Sequence, residues 1–187
     1  MLSLHLAEGA ELRALEPWNA KEFAGHIEAA REHLTPWLPW VPTIVDEDSA
    51  RVWLRRYADR LASDDGRLYG IWVDGRLMGG TLFRVFNAKG GVCEVGVWLD
   101  PSVVGRGLIT RAAGHMIEWA VCARGMSRIE WLVLPGNSRS IAVAQRLGMN
   151  RDGVLRQAFE LRGTRHDVEV WSLLATEWRA GNVASTG

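Results

Sequence analysis

The segment VVGRGLIT, residues 103–110, places two glycines around an arginine directly ahead of a helical pattern. A helix start carries unsatisfied N–H groups and a partial positive charge. Glycines let the backbone approach an anion with no Cβ in the way. The pattern also fits a plain turn, and on this segment alone the two readings stand level. It is neither GxGxxG nor GxxxxGK[ST], so dinucleotide and Walker-type binding do not follow from it. A second junction shifts the balance toward an anion cradle. LPGNSRSIAVAQRLGM, residues 134–149, puts Asn137, Arg139 and Ser140 at another helix start. Two helix starts, each following a strand, can deliver polar groups to one ligand.

Other residues could do chemistry. Glu94 is the one carboxylate inside VCEVGVWL, a run otherwise written in Val, Gly, Trp and Leu, and is a candidate base; a solvent-facing or Arg-paired Glu is the structural alternative. Trp37 and Trp40 stand in LTPWLPWVP, where prolines prevent a helix, and could wall an acceptor or pack that loop onto the core. Cys93 and Cys122 form no CxxC and read as small buried hydrophobes in a reducing compartment. The five histidines lack metal-ligand spacing, so no metal is expected.

Composition sets the bounds. The 187 residues suit one domain with a sizeable core, and 48% hydrophobic with 24% charged residues is ordinary for a globular chain. Lys+Arg and Asp+Glu balance at 22 each, so no global basic field recruits nucleic acid or a membrane, and any anion must be held locally. No signal-peptide pattern and no apolar run of ~20 residues is seen, which leads to the expectation of a cytoplasmic protein.

The elements that must position these residues follow from pattern. Residues 3–15 read as one opening strand. Phe23, Ile27, Ala30 and Leu34 have helical spacing after Asn19, a plausible cap. A second helix starts at Asp46 or Asp48, with Val52, Trp53, Tyr57 and Leu61 as its apolar stripe. Asp74-Gly75 suits a two-residue type I′ hairpin turn, and 87–91 makes a further turn before the VCEVGVWL strand. A helix running to about Ala123, the strand RIEWLVL, a helix stopped by Gly148, and strands at 153–161 and 167–174 joined at 162–164 complete an α+β chain. The domain is expected to span residues 1–180, with a small polar tail at 181–187.

In order, HLTPWLPW, EVGVWLDPSVVGRGLITRA and NSRSIAVAQRLGM resemble the GNAT superfamily of N-acyltransferases, in its branch of ribosomal-protein-alanine acetyltransferases of the RimJ and RimL kind. The likeness covers nearly the whole chain. The family's loop reads [Q/R]xxGx[G/A]; here Val104, Gly105, Arg106, Gly107, Leu108 and Ile109 occupy it, followed by Thr110. Val104 and Ile109 depart from the pattern, which puts the first side-chain contact in doubt. The resemblance implies a twisted mixed sheet, splayed between its fourth and fifth strands, with helices on both faces. It implies acetyl-CoA as co-substrate, pantetheine on backbone groups of Val97 and Leu99, pyrophosphate on N–H groups from Gly105 to Thr110, Asn137 beside the pantetheine, and Arg146 toward the phosphates. Many members place a thiol-protonating tyrosine where this chain has Ala144; Ser140 is the branch's substitute.

The implied reaction is acyl transfer to a primary amine in a ternary complex, with Glu94 and Ser140 catalytic and Trp37, Trp40 and Glu94 around the acceptor. Neither cysteine has a histidine partner in sequence, so no covalent intermediate is expected. The acceptor is a protein N-terminal α-amine or a small-molecule amine. The alternatives are a CoA-binding regulatory domain with little catalysis, or a succinyl-CoA-type donor. A homodimer is a further expectation, drawn from exposed C-terminal strands.

Overall fold

The computed structural model describes residues 3–184. The chain opens with a hairpin, β1 (Leu4–Ala7) and β2 (Ala10–Ala14), in place of a single strand. Gly9, at φ +67°, makes the turn, and side-chain alternation alone did not show the reversal. Helix α1 (Ala20–Leu34) buries Phe23, Ile27, Ala30 and Leu34 as their spacing requires. Asn19 precedes it but turns its carboxamide back to accept from the Glu16 N–H at 3.1 Å.

Helix α2 (Glu47–Ala62) is capped by Asp46, whose carboxylate accepts from the Ser49 N–H at 2.8 Å. Its buried stripe is Ala50, Trp53 and Leu54, flanked by half-buried Tyr57; Val52 and Leu61 face solvent, so the expected stripe is corrected in phase. Strands β3 (Leu68–Val73) and β4 (Arg76–Asn87) meet at Asp74-Gly75, at φ +48° and +76°, as a type I′ turn demands.

Strand β5 (Val92–Leu99) leads to α3 (Leu108–Glu118), which ends in a wide turn over Trp119–Ala123. Then come β6 (Arg128–Val133), α4 (Ser138–Arg146), β7 (Asn150–Leu161), β8 (Thr164–Leu174) and α5 (Ala175–Ala184). Residues 181–184 are therefore helical where a tail was expected; 185–187 lie outside the described residues. Among the described residues the strands hydrogen-bond in the order β1-β2-β3-β4-β5-β6-β8-β7.

The β5–β6 ladder is parallel and ends at Glu94↔Glu130 after three pairs, although β5 runs on to Leu99 and β6 to Val133. This is the expected break in pairing. It falls between the fifth and sixth strands because the opening segment counts as two.

The chain forms two compact units: one up to Phe83 with Val97–Ala112, the other Arg84–Gly96 with the chain from Ala113. In the first, Phe23 stacks on Trp53 at 5.0 Å between ring centres, and Trp40 lies 4.7 Å from Trp53 and edge-on to Trp98 at 5.6 Å. Such aromatic pairs add about 0.5–1.5 kcal/mol each beyond area burial. A Cβ on Gly80 would lie 2.2 Å from Trp98 Cη2, so only hydrogen fits beneath that indole. The Trp98 Nε1–H donates to His26 Nε2 at 3.1 Å, which requires a neutral imidazole. Burial holds the His26 pKa down at about 4, against the pull of the Asp100 charge.

In the second unit Cys93 is buried, its thiol pushed up to about 12 by desolvation and, less, by the Glu130 charge. Cys122 is exposed, correcting the expectation that both cysteines are buried.

Candidate functional site

In the first unit the glycine loop joins a short 3-10 turn, Pro101–Val103, to α3. Asp100 caps that turn, its Oδ1 accepting from the Ser102 N–H at 2.9 Å. Gly105 and Gly107 lie at φ +89° and +72°, a backbone that L side chains adopt at a cost of about 1–2 kcal/mol. A Cβ at Gly105 would meet nothing within 4 Å, so conformation and not crowding selects glycine there. Val104 is exposed, whereas Leu108 and Ile109 are buried. The first turn of α3 is thus pinned to the core by its side chains, and a helix start of this kind presents backbone N–H groups to the loop side; that of Arg111 donates to the Gly107 carbonyl oxygen at 3.1 Å.

The Arg106 guanidinium donates to the Glu8 carbonyl oxygen at 3.2 Å, which ties the loop to the β1–β2 turn. Arg111, absent from the sequence reading, folds back to donate to the Arg106 carbonyl oxygen at 2.9 Å and adds a second positive charge at the loop. A basic residue in the first turn after the glycines was the available signal. Thr110 is half-buried on that turn, and Val97 and Leu99 are half-buried near the end of β5.

Trp40 belongs to the aromatic core cluster just described. Trp37 is half-buried and forms no ring pair among the described residues. The structure therefore separates two tryptophans that sequence treated alike: one packs into the aromatic cluster, the other lies half-buried outside it.

In the second unit Glu94 is 5% exposed. Its carboxylate accepts both arms of Arg84, from Nε at 2.5 Å and Nη2 at 2.6 Å. Burial raises the Glu94 pKa, and the hydrogen bonds and charge of Arg84 pull it back. Arg84 was missed by sequence reading, although positions 84 and 94 are equidistant from the centre of the 87–91 turn. The two arms occupy one lone pair on each oxygen and leave the others able to accept.

Asn137 is the N-cap of α4, its Oδ1 accepting from the Ser140 N–H at 3.1 Å. Ser140 is half-buried in the first turn, and its Oγ accepts the Trp131 indole N–H at 2.9 Å. Arg146 is exposed in the last turn of α4. Ala144 is fully buried where a phenol would otherwise stand. Among the described residues no cluster of His, Cys, Asp and Glu has the arrangement of a metal site. No helix of the described residues is long and apolar enough to cross a membrane.

Residues 11–150 match the family described as "Acetyltransferase (GNAT) domain". YdaF of Bacillus subtilis (strain 168), which bears a provisional ribosomal N-acetyltransferase name, is 30% identical over 183 residues, covering 95% of this chain and 98% of its own. The ribosomal-protein-serine acetyltransferase of Escherichia coli (strain K12) is 24% identical over 170 residues, covering 91% and 95%. Among solved structures, RimL, a ribosomal L7/L12 α-N-protein acetyltransferase in complex with coenzyme A, superposes with a TM-score of 0.88 at 19% identity, covering 94% of this chain and 99% of its own. That superposition establishes the fold, and the family match and the YdaF likeness establish the lineage. The chain belongs to the GNAT family and is an N-acetyltransferase.

Proposed function

We propose that the chain acetylates the α-amine of a protein N-terminus by direct attack on acetyl-CoA in a ternary complex. The observation that carries the cofactor half of this reading is the pair Gly105 and Gly107 at positive φ ahead of a helix start whose side chains Leu108 and Ile109 are buried. Such a loop offers backbone N–H donors to a diphosphate without any Gln or Arg at position 104. Val104, Gly105, Arg106, Gly107, Leu108, Ile109 and Thr110 are the diphosphate segment in this reading, and Arg111 adds charge. Val97 and Leu99 present backbone to the pantetheine, with Asn137 and Arg146 as further cofactor contacts. This local field suits a chain with no net charge.

The chemistry then divides among few groups. The acceptor nitrogen attacks the thioester carbon, and in this reading the Val97 N–H is the donor that steadies the oxyanion. Glu94 takes the nitrogen's proton through a water, on the lone pairs that Arg84 leaves open. The C–S bond breaks with its electron pair on sulfur, and the Ser140 hydroxyl donates to that sulfur. Trp37 forms a wall for the acceptor, and Trp40 holds that loop in place.

An α-amine, with a pKa of about 8 against ~10.4 for lysine, is partly neutral near pH 7 and asks less of the base. The relatives named for ribosomal-protein acetylation favour the same acceptor class.

The test is thiol release from acetyl-CoA with three acceptor sets: peptides with free N-termini, the same peptides N-blocked with an internal lysine, and small amines. Turnover confined to free N-termini is expected, with Ser140→Ala lowering kcat about tenfold or more. Turnover confined to small amines would refute the acceptor assignment. A succinyl thioester outpacing acetyl would refute the donor. Failure of acetyl-CoA at 100 times its Kd to add the ~2.7 kcal/mol that tight binding must confer would refute the cofactor site.

A further inference from the structure

We propose that Trp131 is a positioning residue that fixes Ser140 as a hydrogen-bond donor to the departing sulfur; this rests on the role proposed above for Ser140. An indole N–H can only donate, so the 2.9 Å contact from Trp131 Nε1 makes Ser140 Oγ the acceptor there. Among the described residues no group accepts the Ser140 hydroxyl proton in turn. The neighbouring Asn137 Oδ1 is directed to the Ser140 backbone N–H, so it does not compete for that proton. One lone pair is thus held by the indole, and the O–H is left as a donor with no protein acceptor among the described residues.

Trp131 has no freedom to release that grip. It is 2% exposed, sits mid-strand in β6, and is paired in register with Trp171 of β8. The indole is therefore rigid, and the hydroxyl it orients is a first-turn side chain that would otherwise rotate among staggered wells. Accepting a hydrogen bond also polarises an O–H toward stronger donation. When the C–S bond breaks, the electron pair stays on sulfur and the oriented O–H stabilises it. The proton lost by the acceptor nitrogen balances the one that finally resides on the thiol.

A double-mutant cycle tests this. Trp131→Phe is expected to lower kcat by about 3–10-fold, the kinetic equivalent of one hydrogen bond, with the KM for acetyl-CoA unchanged. In the Ser140→Ala background the same substitution is expected to have no further effect on kcat. An equal loss in both backgrounds would show a merely structural Trp131 and overturn the inference. An unchanged kcat in Trp131→Phe would overturn it too, with the Ser140 role intact if Ser140→Ala is still slow. A Ser140→Ala enzyme as fast as the parent would remove the role of Ser140, and the inference with it. Should Trp131→Phe fail to fold, site-specific benzothienylalanine, which keeps the ring shape without the N–H, gives the same comparison.

Discussion

The Arg84–Glu94 pair is lopsided, and its two halves should not be equally costly to remove. Glu94 has a side chain 7% exposed, whereas that of Arg84 is 52% exposed. Replacing Arg84 by Met leaves a desolvated carboxylate without its counter-charge. Breaking a fully buried pair in this way costs about 3–5 kcal/mol; because water reaches half of Arg84, about 2–3 kcal/mol is expected near pH 8. Replacing Glu94 by Gln strands only a guanidinium that can turn to solvent, for about 1 kcal/mol. For a chain of this length each kcal/mol moves Tm by roughly 2–4 °C, so the two variants should separate by several degrees.

The pH dependence carries the sharper test. The Glu94 pKa lies above its ordinary value in the folded state because of burial. A raised carboxyl binds its proton more tightly when folded, so its contribution to stability is largest at low pH and falls as pH rises through the folded pKa. Removing Arg84 leaves burial unopposed and raises that pKa further. The deficit of Arg84→Met should therefore grow between pH 5 and pH 8, while that of Glu94→Gln should shrink, because Gln lacks the titration that costs the parent stability as pH rises. Urea unfolding of both variants and the parent at the two pH values measures this. An Arg84→Met deficit that does not change with pH, or that is smaller than the Glu94→Gln deficit at pH 8, would refute the argument.

Three further outcomes are expected. Gly107→Ala forces a side chain to φ +72° and should raise the KM for acetyl-CoA severalfold in steady-state kinetics, with about 1–2 kcal/mol of strain visible in urea unfolding. Trp40→Ala should cost about 3 kcal/mol of stability, the low end for a buried Trp, by removing a half-buried ring packed against the aromatic core, whereas Trp37→Ala should leave Tm within a few degrees and change the acceptor KM. Gly80→Ala should lose about 1–3 kcal/mol through overpacking against Trp98, read as a lower urea midpoint.

The parts of the fold legible in the sequence are those set by local chemistry. Asp74-Gly75 allows a turn at positive φ, Asn137 can cap only a helix that follows it, and Gly148, at φ +78°, stops that helix. The Gly9 reversal was hidden because its flanks continue the same alternation on both sides. The phase of α2 was misread because Val52 is as apolar as Leu54, and which of them faces the core is decided by α1 packing.

The site divides in the same way. The glycine loop and Ser140 stand out in sequence because backbone freedom and helix starts leave local marks. Arg84 beside Glu94, Trp131 beside Ser140, and Trp40 within the aromatic cluster are partners brought together by strand pairing and core packing. No local pattern distinguishes Trp40 from Trp37.

In the proposed function the loop at Gly105 and Gly107 meets an anion with main-chain groups, while of its neighbouring side chains Leu108 and Ile109 are buried for packing and Val104 is exposed. What the ligand would meet is a shape of the chain and not an alphabet. A laboratory library that randomises position 104 should therefore yield many active clones, and one that randomises 105 and 107 very few. Letter-based motif scans will undercount loops of this kind, because the feature they score is carried by torsion angles.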